Sequence, residues 1–186
     1  MIFCAGSIRP ARGLEDLFHA LVLLRASGLD PTVLIAGDVS GDGQKYRVRM
    51  QRKLDADGNA DSVIWAGPLS TNEMAWCYGN CSAFVMTSRV EACPNTALEA
   101  LAYRSACIAT TNRPMPETFE DAALYYDAGN SQMLADQIST VLGRGDAVRT
   151  LFSQRAAARA ADFAWESAAQ KTIHQLSLAA KGAEAE

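Results

Sequence analysis

Short apolar runs alternate with longer segments of helical spacing along this chain, and that alternation leaves few folds open. Ile2 to Ala5, Thr32 to Ala36, Val63 to Ala66, Ala83 to Met86 and Cys107 to Ala109 are compact runs rich in β-branched or aromatic residues. They are apolar throughout rather than at every second position, the pattern of parallel strands covered on both faces. A weaker sixth run follows at Ala123 to Tyr126. Between the runs, Leu14, Leu17, Phe18, Leu21 and Leu24 share one helical face. Ser70 and Glu73 form a capping-box pattern that opens a helix around Met74 to Tyr78, and Leu98, Leu101 and Ala102 begin another stripe. The order predicts an α/β fold: a Rossmann-like, doubly wound parallel sheet of about six strands with helices on both faces. After Ser131 the strand pattern stops, and two or three Ala-rich helices form a C-terminal extension. We read residues 1–180 as one domain and 181–186 as a frayed tail.

Composition supports a packed core: 49% of the 186 residues are hydrophobic and 20% charged, which excludes wholesale disorder. The net charge of −4 argues against a dedicated nucleic-acid binder. Five scattered cysteines favour a reducing compartment over a disulfide framework. With no long apolar run and no signal-peptide pattern at Met1 to Gly6, the expected location is the cytoplasm. Lys45, Arg47, Arg49, Arg52 and Lys53 read first as a solvated face, with peripheral contact to an anionic membrane surface, or contact with an acidic partner, as the alternative.

In open parallel sheets, ligands bind beyond the carboxyl ends of the strands. The loops after Gly6, Gly37, Gly67, Thr87 and Thr110 are therefore the ones to inspect. The segment Ser88 to Ala100 is the most informative of them, because it leaves a strand and enters a helix. Asn95 or Thr96 is expected to cap that helix, leaving N–H groups at its positive end for a phosphate or diphosphate. Glu99 is expected in its first turn, where a carboxylate could take both hydroxyls of a ribose. Glu91, on the loop, could reach a sugar beyond the diphosphate. The plainer alternative is that Glu99 complements the helix dipole and Glu91 is solvated.

The Glu-x7-Glu spacing of Glu91 and Glu99, set between Phe84-Val85-Met86-Thr87-Ser88 and Ala100-Leu101-Ala102, resembles that of the retaining family 4 glycosyltransferases. Further landmarks follow in order: Gly6-Ser7-Ile8-Arg9-Pro10-Ala11-Arg12-Gly13, Val33 to Asp38, Val63 to Gly67, Met115-Pro116-Glu117, Leu124 to Asp127 and Phe163-Ala164-Trp165-Glu166. The resemblance spans residues 2–175 and implies the C-terminal, donor-binding domain of a GT-B enzyme. It implies that Glu91 contacts donor-sugar hydroxyls, that Glu99 holds the nucleotide ribose, and that the backbone of Asn95, Thr96 and Ala97 meets the diphosphate. Gly6, Ser7, Arg9, Gly67 and Cys93 complete the implied donor site, with Gly67 beside the nucleobase. Arg12 stands where the family has its basic phosphate ligand, and with Glu91 it forms the implied catalytic pair. No metal or other cofactor is implied.

Two departures touch this site. Ser7 stands where the family often has Arg, with Arg9 two residues on, and Ala92-Cys93-Pro94 replaces the more common Gly-Phe-Gly. The resemblance also implies an acceptor-binding N-terminal domain absent from this sequence, supplied by a preceding segment or by another chain. The implied function is binding of a nucleotide-diphosphate sugar and, with that domain, hexosyl transfer with retention of anomeric configuration. The alternatives are a non-catalytic nucleotide-sugar binding or assembly module and a nucleotide-sugar epimerase fragment. Asp55-Ala56-Asp57 reads as a polar helix end rather than a metal motif, and Cys77 and Cys81 as core residues.

Overall fold

The computed structural model describes residues 1–143 and 145–183. Six strands form one parallel sheet: β1 (Ile2–Ala5), β2 (Val33–Ala36), β3 (Val63–Gly67), β4 (Ala83–Met86), β5 (Cys107–Thr110) and β6 (Ala123–Tyr126), in the order β3-β2-β1-β4-β5-β6. Winding runs outward from β1 in one direction and from β4 in the other. The loops after these two neighbours therefore diverge and leave a crevice between them.

The helices are α1 (Leu14–Ala26), α2 (Gly43–Ala56), α3 (Thr71–Asn80), α4 (Asn95–Ala102), α5 (Met115–Phe119), α6 (Ser131–Gly143), α7 (Gly145–Ala161) and α8 (Trp165–Ala183). Strand side chains alternate between two cores. Ile2, Cys4, Val33, Ile35, Ala83 and Val85 pack under α1, α2 and α6, with Leu17, Phe18, Met50, Leu54 and Ile138. Phe3, Phe84, Met86 and Cys107 point the other way, onto Tyr78 of α3, Leu101 of α4, Phe119 of α5 and Ala156 of α7. Central strands β1, β4 and β5 are buried along their whole length, and β3, at the edge, exposes Ile64.

Local signals act as read. Ser70 Oγ accepts from the Glu73 N–H, and Glu73 accepts from the Ser70 N–H at 2.8 Å, closing the box that starts α3. These bonds lower the Glu73 pKa. In α2, Tyr46, Met50 and Leu54 turn inward and the basic residues turn out. Three of those five are engaged: Arg49 pairs with Glu15, Lys53 with Asp57, and the Arg47 guanidinium lies 4.0 Å from the Trp65 ring centre. Asp55 accepts from Gln51, so both carboxylates of the Asp-x-Asp serve the end of α2. The C-terminal extension consists of α6, α7 and α8, and α8 continues as helix to Ala183 within the segment expected to fray; residues 184–186 lie outside the described residues. No helix among the described residues is long and apolar enough to cross a membrane.

Candidate donor site

The carboxyl ends of β1, β2 and β3 are a row of glycines joined through their backbones. Gly6 N–H donates to Ala36 O at 2.9 Å, and Gly37 N–H to Gly67 O at 2.8 Å. A Cβ on Gly6 would lie 2.3 Å from Arg12 Nη2, and Gly6 has φ +125, so only glycine lets the Arg12 guanidinium rest on this strand end. A 3₁₀ turn at Pro10–Arg12, closed by left-handed Gly13, aims the Arg12 side chain back across the crevice.

On the far wall the loop after β4 supplies the partners. Arg12 Nη1 donates to Ser88 Oγ at 3.0 Å and to Glu91 Oε1, and Arg12 Nε donates to Ser7 O at 3.2 Å. The two charged side chains are 13% and 10% exposed, so their pairing is shielded from bulk water. Arg12 Nη2 has no acceptor among the described residues and remains available to an anion. Thr87 Oγ1 donates to Arg12 O at 2.5 Å and Arg89 N–H to Ala11 O at 2.7 Å, so the two loops are stitched through backbone as well.

Beneath this contact lies a node that the sequence reading missed. Asp16 is 3% exposed and accepts from Arg89 Nη2 at 2.6 Å, from the Tyr126 hydroxyl at 3.2 Å and from Gly129 N–H at 2.9 Å. It thereby ties α1, the β4 loop and the segment after β6 together. Burial, then the neighbouring Asp16 charge, raises the Tyr126 pKa, which keeps the hydroxyl a donor. Asp16 lies off the Leu14-Leu17-Phe18-Leu21 face. Periodicity alone sends it to solvent, and only the returning loops bury it.

At α4 the structure corrects two expectations. The helix starts one residue earlier than a side-chain cap would place it: Pro94 is the N-cap, and neither Asn95 nor Thr96 caps it. Pro94 O accepts from Ala97 N–H at 2.8 Å and Leu98 N–H at 3.2 Å, while Asn95 N–H is taken by Cys93 O at 3.0 Å. Of the three expected phosphate-binding N–H groups, the Thr96 N–H alone has no acceptor among the described residues. Glu99 consequently sits in the second turn. Its carboxylate accepts from the Tyr78 hydroxyl at 2.8 Å. Tyr78 is almost fully buried, and burial together with this bond raises its pKa. Glu99 faces a cavity of about 250 Å³ with Leu69, Met74 and Tyr103, just beyond the Gly67 strand end.

The crevice thus gathers Gly6, Ser7, Arg12, Ser88 and Glu91 at the β1/β4 divide, with Thr96 and Glu99 on the adjoining helix. Arg9 is exposed on the same loop, and Cys93 and Asn95 are exposed at the entrance to α4, where the Cys93 thiol lies 3.8 Å from Asn95 Oδ1. An arginine with free N–H groups beside a carboxylate, at this position in a doubly wound sheet, suits a phosphorylated, hydroxylated ligand.

Comparison with known proteins fits this geometry. The family model described as glycosyl transferases group 1 matches residues 1–159. The chain belongs to that family. A curated relative, the lipopolysaccharide core biosynthesis mannosyltransferase LpcC of Rhizobium leguminosarum bv. viciae, is 24% identical over 110 residues, which is 59% of this chain and 31% of LpcC. Among solved structures, sucrose-phosphate synthase from Thermosynechococcus elongatus superposes with a TM-score of 0.83 at 22% identity, over 96% of this chain and 46% of that one. HepE of Anabaena, solved in complex with UDP, gives 0.83 at 21% identity, over 94% and 48%. This group 1 chain therefore shares a GT-B-like fold and spans less than half the length of these three proteins.

Proposed function

We propose that this chain is the donor-binding half of a retaining, family 4 glycosyltransferase and that it holds a nucleotide-diphosphate hexose without a metal. The observation that carries this reading is the meeting of Arg12 and Glu91 at the β1/β4 divide, 79 residues apart in sequence. Before donor arrives, each neutralises the other. A diphosphate placed against Arg12 Nη2 competes for the guanidinium and frees Glu91 to accept from sugar hydroxyls. A planar guanidinium grips two phosphate oxygens at once and stabilises the charge that builds on the leaving diphosphate. Thr96 N–H, at the positive end of α4, adds a second donor to that charge. Glu99, oriented by Tyr78, takes the ribose hydroxyls, and Gly67 leaves room for the base beside Leu69.

The acceptor site and the remainder of the cleft come from a further domain, as the coverage of longer relatives suggests. Much of the rate in group transfer comes from holding both reactants in place, so this chain alone binds donor better than it turns it over. We place its work in the cytoplasm, with Lys45 and Arg52 of α2 as the points of peripheral contact with an anionic membrane.

The test is calorimetric titration of the chain with UDP, GDP and ADP, with and without EDTA, beside Arg12→Ala and Glu99→Ala. Saturable, EDTA-insensitive binding of one nucleotide, weakened by both substitutions, is expected. Absence of binding at millimolar nucleotide, or equal binding by both variants, would overturn the assignment.

A further inference from the structure

The cavity beside Glu99 is a groove between α3 and α4 that opens toward the strand ends. Leu69 and Thr71 lie at its mouth, because α3 starts directly after β3. Met74, Ala75 and Tyr78 follow down α3, while Glu99 and Tyr103 stand one turn apart on the same side of α4. Carbon lines most of this groove, and its volume of about 250 Å³ is below the range that encloses a whole drug-sized ligand. It suits one ring of a larger molecule.

Tyr103 closes the lower end of the groove, and the core braces it there. Its ring stacks on Tyr78, with centroids 5.8 Å apart and 7° between the planes. Tyr78 is itself held on every side: it meets Phe3 and Phe84 edge-on at 5.1 and 5.3 Å, its hydroxyl donates to Glu99 at 2.8 Å, and its carbonyl accepts from Ser105 Oγ at 2.8 Å. The Tyr103 N–H donates to Glu99 O at 3.0 Å, so the helix is still wound between them. Four residues of helical rise, about 6 Å, therefore separate the carboxylate from the tyrosine that ends the groove.

We infer that Tyr103 makes the donor site selective for a pyrimidine nucleoside diphosphate over a purine one. This rests on the donor-site reading, in which Glu99 takes the ribose hydroxyls and the base lies beside Leu69. From a ribose held at Glu99, the base runs down the groove past Leu69, Met74 and Ala75. A single six-membered ring ends above the Tyr78–Tyr103 pair. A purine extends a second fused ring in the same direction and meets the Tyr103 ring, which can yield only by giving up its stack on Tyr78. Extra atoms in a packed groove displace the side chains around them, at a cost to binding.

The test titrates UDP, GDP and ADP calorimetrically into the 186-residue chain and into Tyr103→Ala and Ala75→Leu. UDP should bind the parent at least about tenfold more tightly than either purine nucleotide, the scale of a modest overpacking penalty. Tyr103→Ala opens the end of the groove and should bring GDP and ADP to within about threefold of UDP. Tyr103 is 44% exposed at the close of α4, so this variant should stay folded, which its urea midpoint checks. Ala75→Leu fills the groove and should weaken UDP at least about tenfold. Purine nucleotides bound by the parent as tightly as UDP, an unchanged preference in Tyr103→Ala, or undiminished UDP binding by Ala75→Leu would overturn the selectivity and leave the donor site standing. Absence of binding by all three nucleotides would overturn the donor-site reading and the selectivity with it.

Discussion

Asp16→Ala probes the base of the crevice without touching any group proposed to meet donor. Three partners lose their acceptor. Tyr126 is fully buried, so its hydroxyl is stranded, at a cost of about 1–2 kcal/mol. Arg89 is 34% exposed and turns to water, which holds its loss to roughly 0.5–1 kcal/mol. Gly129 is exposed, so its N–H is rehydrated at little cost. Removing a shielded carboxylate also returns some desolvation energy, as in any buried pair. The net is a destabilisation of about 2 kcal/mol, below the 3–5 kcal/mol of a fully buried pair broken on one side. Urea unfolding should therefore show a lower midpoint with an unchanged slope. Tyr126→Phe alone should cost about 1 kcal/mol, and the double variant less than the two singles together by about that amount. Nucleotide affinity should fall as well, because Arg89 also anchors the β4 loop to Ala11. A cost for Asp16→Ala below about 0.5 kcal/mol, or strict additivity with Tyr126→Phe, would refute the node.

Other perturbations separate the parts of the site. Gly6→Ala meets both a positive φ and the Arg12 guanidinium; it should cost about 1–3 kcal/mol in urea unfolding and abolish nucleotide binding in the same calorimeter. Glu91→Gln releases Arg12 from its internal partner, so UDP should bind up to about tenfold tighter, a change of ~1.4 kcal/mol, while the added affinity of UDP-hexose over UDP disappears. Tyr78 and Tyr126 have pKa values raised by burial, so their stabilisation is complete below the unfolded tyrosine value of about 10 and is lost as pH rises above it. Alkaline urea titrations should show stability falling by up to ~1.4 kcal/mol per pH unit for each tyrosine, and Tyr126→Phe should flatten that slope.

Much of the architecture was legible because parallel strands covered on both faces read as unbroken apolar runs. The runs at Ile2–Ala5, Ala83–Met86 and Ala123–Tyr126 coincide with β1, β4 and β6. The Ser70–Glu73 box was legible because capping is a local bargain between residues three apart. The candidate site followed from the sequence as a list of residues in motif order, not as geometry. Nothing local predicts that Arg12 would reach Glu91 instead of solvent, since that contact follows from strand order. The start of α4 was misread because side-chain capping preferences suggested Asn95 or Thr96, whereas the Pro94 carbonyl starts the turn first. Asp16 escaped notice because its burial is imposed by two loops distant in sequence.

The Asp16 node also dictates an order of events during synthesis. Its three partners follow it by 73, 110 and 113 residues. A nascent chain can pair β1 with β2 early, yet the floor of the β1/β4 crevice closes only once Gly129 has left the ribosome. Long-range closures of this kind are slow relative to local helix formation. Newly made chains therefore pass through an interval in which Arg89 and the loop above it are unanchored, and the proposed competence to bind nucleotide arrives with completion of the sheet.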